Sequence, residues 1–272
     1  MTDHQIALLP DYEHPPVVER VVSVWADITQ EKHESRFEEW RTLVQPAYPV
    51  YEPLKEWTLQ VQEVEGIPLL NDIQPELKIT PRFSRKTAKE GFDWSIRCPA
   101  GHFTMNMHSE PGSPRRFSHL QKEFQHWFPL WIRHFEVKTI HKIQLFYINR
   151  LNRHTIPEFT QDNGSLEVDK VLTVFTKIPG EHEMLVPPLD CRATVVLPDP
   201  PGARLEVRLH DRSEDRPDLS LDLRIQHAWE DQKSPSVEEL AQTLETCHKR
   251  IIERFEVLFT QEARQSFRPV KP

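Results

Sequence analysis

A chain of 272 residues with 38% hydrophobic and 28% charged positions can bury a large core and is too apolar for wholesale disorder. Its net charge of −8 disfavours non-specific binding to nucleic acid or anionic membranes and leaves room for no more than a local basic patch. Seven glycines against 24 prolines exclude a Gly-rich phosphate loop almost by count and point to stiff, proline-marked connections.

The opening residues 1–16 carry neither a basic start nor an apolar stretch of signal-peptide length, and no apolar run approaches the ~20 residues that span a bilayer. Cys98, Cys191 and Cys247 are far apart, form no Cys-x-x-Cys and suit a reducing compartment as small apolar residues. The expectation is a cytoplasmic protein without membrane association.

After a proline-rich lead-in, residues 15–27 read as a β-branched strand. Ser35 and Glu38 then stand at capping-box spacing, with Phe37, Trp40, Leu43 and Val44 on one face of a helix that Pro46 ends or kinks. Period-two alternation predicts strands through Trp57/Leu59/Val61, Leu77/Ile79, Trp94/Ile96/Cys98 and Phe103/Met105/Met107. Over about 114–136, Phe117, Leu120, Phe124, Trp127, Phe128, Trp131 and Phe135 step by three or four, so a second helix is predicted, kinked at Pro129.

From Thr139 the same order of elements begins again. A strand covers 139–151, and Val168, Val171, Leu172, Phe175 and Ile178 predict a helix despite their β-branched content. Three alternating strands follow, through Cys191/Ala193/Val195/Leu197, Leu205/Val207/Leu209 and Leu219/Leu221/Leu223/Ile225. A closing helix starts at Ser236, has Glu239 in capping-box position, and buries Leu240, Leu244, Cys247, Ile251, Phe255 and Leu258. The fold expected is α+β, made of two similar halves (1–138 and 139–272) related by an internal duplication and a pseudo-twofold, packed as one unit, each strand, helix, antiparallel strands, long helix. The alternation gives each sheet one wet and one dry face.

The chemistry-bearing residues are mostly informative by what they omit. The 14 histidines include neither a pair one helical turn apart nor a set at zinc spacing with Cys98, His102 and His108, so no metal is expected. There is no Gly-x-Ser-x-Gly elbow, no Walker loop and no Gly-x-Gly-x-x-Gly, and the acidic run at 210–218 reads as a solvated hairpin turn. Enzymatic activity is therefore disfavoured, with no catalytic residue and no cofactor assigned. Basic residues cluster at Arg82, Arg85, Lys86 and Lys89, at Arg115 and Arg116, and at Arg150 and Arg153; such a set with exposed aromatics suits nucleic acid, while a charged hairpin plus a helix start is the plainer reading. The aromatic stripe 117–135 is read as core rather than as a cofactor pocket.

The stretch Tyr147-Ile148-Asn149-Arg150 is the other candidate. Alternation places Tyr147 and Asn149 on one face and Arg150 on the other. It is read first as a polar strand exit, with Asn149 bonding backbone and Arg150 pairing with a carboxylate, and second as a binding site.

Three segments together resemble a sporadically distributed bacterial protein family of similar length. They are Pro15-Pro16-Val17-Val18-Glu19, then Tyr147-Ile148-Asn149, and a final helix with His248 and Phe255 followed by Phe259, Thr260 and Glu262. The resemblance implies a bacterial or phage-related cytosolic protein and carries no activity with it. The leading expectation is a non-enzymatic binding protein acting through a protein partner, of an accessory or defence type. The alternatives are nucleic-acid binding through the Arg82–Lys89, Arg115 and Arg150 cluster, and a small-ligand sensor with a pocket between sheet and long helix.

Overall fold

A computed structural model describes residues 11–60, 63–64, 67–68, 74–86, 92–109, 116–162, 166–174, 190–211, 218–229 and 235–270. After a two-residue strand β1 (Asp11–Tyr12), the chain forms β2 (Val17–Ala26), α1 (Gln30–Val44), β3 (Val50–Gln60), the short β4 (Glu63–Val64) and β5 (Ile67–Pro68), β6 (Gln74–Lys86), β7 (Phe92–Arg97), β8 (His102–His108) and α2 (Phe117–His134). It continues with β9 (Ile140–Leu151), a 3-10 turn at Pro157–Phe159, α3 (Val168–Val171), β10 (Asp190–Val196), β11 (Arg204–Asp211), β12 (Leu219–Ala228), α4 (Val237–Leu258), α5 (Gln261–Ser266) and β13 (Pro269–Val270).

Nine of these strands make a single antiparallel sheet in the order β10-β11-β12-β9-β2-β8-β7-β6-β3. The mixed helix-and-sheet class is as the sequence suggests. The strands of residues 1–138 and of 139–272 do not form separate sheets, because β2 and β9, the first long strand of each stretch, pair in the middle. The alternating apolar residues put Val22, Val24, Phe103, Met105, Leu145, Leu223 and Ile225 on one face, all fully or almost fully buried.

The long helices cover that face. In α2, Phe124, Phe128 and Trp131 gather around Phe103 of β8, with ring centres 5.4–6.2 Å apart. Trp40 of α1 meets Trp127 and Phe135 and donates its indole N–H to Cys98 Sγ at 3.1 Å. The α4 helix lies on β9 and β12 and touches α2. Among the described residues no helix is long and apolar enough to cross a membrane.

Several local expectations change. Helix α1 starts a turn and a half before Ser35: Thr29 is the N-cap, its hydroxyl accepting from the Lys32 amide, while Ser35 Oγ donates back to the Lys32 carbonyl. Leu43 is 44% exposed, since the narrow contact of a 15-residue helix admits Trp40 and Val44 but not the flanking leucine. The helix expected over 168–178 is one turn, α3. Leu172 leaves it to form a β-bridge with Phe259, as its β-branched surroundings favour, and Phe175 and Ile178 lie outside the described residues. Ile79 is exposed although Phe83, on the same face of β6, is fully buried, so the β3–β6 hairpin runs on beyond the covered part of the sheet.

In edge strand β10 every residue is exposed, so the alternation through Cys191, Ala193 and Val195 is not expressed as burial there. The chain continues through Pro129 within α2, and the side chains expected inward at Trp57, Leu59 and Leu77 lie outside the described ones. The α4 helix begins as read: Ser236 accepts from the Glu239 amide, and Glu239 accepts from the Ser236 amide. Its stripe Leu240, Leu244, Cys247, Ile251 and Phe255 is buried. Leu244→Ala should therefore lower the unfolding free energy by about 2–5 kcal/mol in denaturant melts, whereas a change near zero would place this stripe outside the core.

Candidate functional site

The helix-covered row of β2 contains one charged residue. Val24 and Val22 point inward, and Arg20 stands next in the same row, only 6% exposed. Its neighbours across the sheet are Met107 of β8 and Tyr147 of β9. The guanidinium lies 5.1 Å from the centre of the Tyr147 ring, within cation–π range, and Nη1 donates to Ser109 Oγ over a long 3.4 Å. Nε is buried with no hydrogen-bond partner, and among the described residues no carboxylate pairs with this arginine. A guanidinium cannot shed its charge, so burying it without an ionic partner works against stability.

The backbone explains how Arg20 shares its face with Val17. Strict alternation would put residues three apart on opposite faces. Between Val17 and Glu19, however, the pairing with β9 slips by one residue, Val17 lying opposite Asn149 and Glu19 opposite Ile148. This bulge at Val18 turns the start of β2 so that both Val17 and Arg20 face the helices.

Together they line a cleft of about 320 Å³, near the lower end of the range for organic ligands. The sheet supplies Val17, Arg20 and Tyr147, the long helix α4 supplies Glu245, His248, Ile252 and Phe255, and the start of α2 supplies Arg116, Phe117, Ser118 and Gln121. Tyr12 and Pro15 complete the lining. The chain ends are tied beside it: β1 pairs with β13, and Tyr12 packs on Phe255 and Phe267 while its hydroxyl donates to Glu256.

His248 joins the three walls. Its ring stacks on Phe117 at 4.0 Å, and its Nδ1 shares a 2.8 Å hydrogen bond with the Tyr147 hydroxyl. Burial pushes its pKa down to about 3, and the positive charge of Arg20 acts in the same direction. The imidazole is therefore neutral at physiological pH. The beginning of α2 adds positive potential, since its first turn holds no acidic residue and the N-cap, Arg116, has no acceptor to offer the free amides of Phe117 and Ser118. Glu245 is exposed and accepts from Gln121 Nε2 at 3.1 Å, linking α4 to α2.

Among the residues singled out from sequence, Tyr147 and Arg116 come together in this cleft. Asn149 does not line it: fully buried, it donates from Nδ2 to the Leu221 carbonyl at 2.8 Å. Arg150 turns to the opposite face and meets Asp218 at 3.3 Å, a carboxylate it shares with Asn152. Arg82 sits beside Glu52 at 3.9 Å, whereas Arg85 points to the helix side, where Glu123 accepts from it at 3.1 Å and the rings of Tyr48 and Trp94 flank it. The basic residues thus fall on different faces, and Arg115 and Lys89 lie outside the described residues. Arg20 and His248 are the residues that site reasoning passed over. The legible signal for Arg20 was a lone charge in register with Val22 and Val24 in a β-branched run.

Residues from three segments distant in sequence meet here: Pro15 and Val17, Tyr147, and His248 and Phe255 all line the cleft. Thr260 caps α5 through its hydroxyl, which accepts from the Ala263 amide at 3.1 Å. Comparison with protein-family models, with curated proteins and with solved structures yields no match.

Two outcomes follow from this geometry. Asn149→Ala strips the Leu221 carbonyl of a buried donor and should cost about 1–3 kcal/mol of stability, read as a lower melting temperature; an unchanged melt would place Asn149 outside the fold's hydrogen-bond framework. For His248 the folded pKa lies below the ordinary 6.5, at about 3. As pH falls through that window the unfolded chain takes up a proton that the folded chain refuses, so stability declines. His248→Gln should flatten the slope of unfolding free energy against pH between those values, and an unaltered slope would contradict the assignment.

Proposed function

We propose that this chain is a binding protein for a small organic molecule, which enters the cleft between the sheet, the start of α2 and α4. The observation that carries the reading is the lining itself: aromatic and aliphatic side chains from four distant segments share a cleft with convergent polar and charged groups, a combination that can both hold and orient a ligand. Binding rather than turnover is favoured by the chemistry of the walls. The histidine is neutral with Nδ1 already engaged, and the carboxylate present, Glu245, is exposed and tied to Gln121.

A protein partner is the second reading, supported by the face of the sheet opposite the long helices. There Glu19, Ser23, Trp25, Arg97, Asn106 and Phe146 line a depression of about 300 Å³. Charges of both signs stand around it, which suits a polypeptide surface better than a polyphosphate backbone. We also infer that the two halves arose by duplication. In support, β2 and β9 pair at the centre, and β8 and β12, the last sheet strands before α2 and α4, flank them.

The ligand reading is tested by methyl NMR spectra of the full chain titrated with a panel of ring-containing fragments, both neutral and anionic. Fragments that bind should shift the methyl signals of Val17 and Ile252 together. A panel that leaves both untouched at millimolar concentration would count against a ligand cleft.

A further inference from the structure

We propose that the cleft selects organic anions, a carboxylate or a phosphate monoester on an apolar ring or chain, and that Arg20 is the residue that binds the charged group. The inference rests on the ligand-cleft reading and narrows it to a chemical class.

Three features converge. Arg20 is a permanently charged side chain, more than nine-tenths buried, that lines the cleft with its Nε unpartnered. An anion delivered to the guanidinium would supply the counter-charge it lacks, in a setting where water screens little. The start of the 18-residue helix α2 contributes Phe117 and Ser118 to the same lining, so backbone amides and the positive end of the helix dipole act on the same space. Lastly, His248 is held neutral and is no counter-ion for Arg20, while Arg116, in the same lining, adds positive charge rather than cancelling it.

The remaining lining defines the body of the ligand. Phe117, stacked face to face on His248 at 4.0 Å, together with Tyr12, Phe255, Val17 and Ile252 supplies the apolar part of the lining. A flat or short aliphatic group fits there, whereas a bare inorganic ion would leave that surface wet. Glu245 opposes an anion by charge, yet it is exposed and engaged with Gln121, so its field is screened where that of Arg20 is not.

The test is calorimetric titration of the full-length protein with naphthalene-2-carboxylate, 2-naphthyl phosphate and the uncharged naphthalene-2-carboxamide. At least one of the two anions should bind about ten- to a hundredfold tighter than the amide, the range expected of a hydrogen bond to a charged group; whichever anion wins identifies the headgroup. Arg20→Gln should bring that anion to within about threefold of the amide while amide affinity persists, and Arg20→Lys should retain part of the preference. Ser118→Pro, which deletes one amide donor in a helix turn that tolerates proline, should weaken the anion several-fold and spare the amide. It keeps the inference testable should Arg20→Gln fail to fold. Equal binding of acid and amide to the natural protein would overturn the anion inference and leave the ligand cleft standing. Failure of all three probes to bind would count against the cleft itself.

Discussion

The antiparallel pairing of β2 with β9 is the constraint on which the rest of the molecule depends. These are the central strands of a nine-stranded sheet, and every other long strand is added outward from one or the other. Their pairing joins residues more than a hundred positions apart, a costly loop closure that the burial of Val22, Val24, Ile143 and Leu145 on one shared face must offset. It also fixes where the polar residues of those strands go. Once Val22 stands opposite Leu145, Arg20 stands opposite Tyr147, and a cation is committed to the covered side of the sheet.

The cleft exists because three elements meet over that pair without closing on it. The α2 helix packs its aromatic stripe on β8, α4 packs its leucine stripe on β9 and β12, and Phe117 bridges to His248 where the two helices approach. The Val18 bulge rotates the entrance of β2 so that Val17 joins the same surface. A buried arginine without an ionic partner is unfavourable in isolation, the kind of local conflict that binding sites retain and cores eliminate.

Much of the architecture was legible because burial here follows the two simple periods. Most strands of the sheet and the stripes of α2 and α4 announced themselves through alternation, β-branched content or three-four spacing, and the Ser236–Glu239 box located the start of α4 to the residue. Reading was less secure where a local signal competed with context. Ser35 and Glu38 imitate a cap inside a helix that Thr29 starts, and Val168–Ile178 has helical spacing in a composition that favours extended chain. The site was legible in part. Tyr147 and Arg116 could be picked out as polar groups at element ends, but the bulge that brings Val17 round and the convergence of Arg20 with His248 depend on pairings across the whole chain. Such convergence leaves no linear motif.

Whether Arg20 takes up an anion is open to one direct observation. In spectra of arginine-labelled protein the Nε–H resonance of Arg20 can be followed while naphthalene-2-carboxylate or 2-naphthyl phosphate is added. The expected result is that this signal shifts as the anion approaches the guanidinium, with saturation at the same concentration as the Val17 and Ile252 methyl shifts. A ligand that saturates the methyl shifts while the Arg20 Nε–H signal stays in place would contradict it.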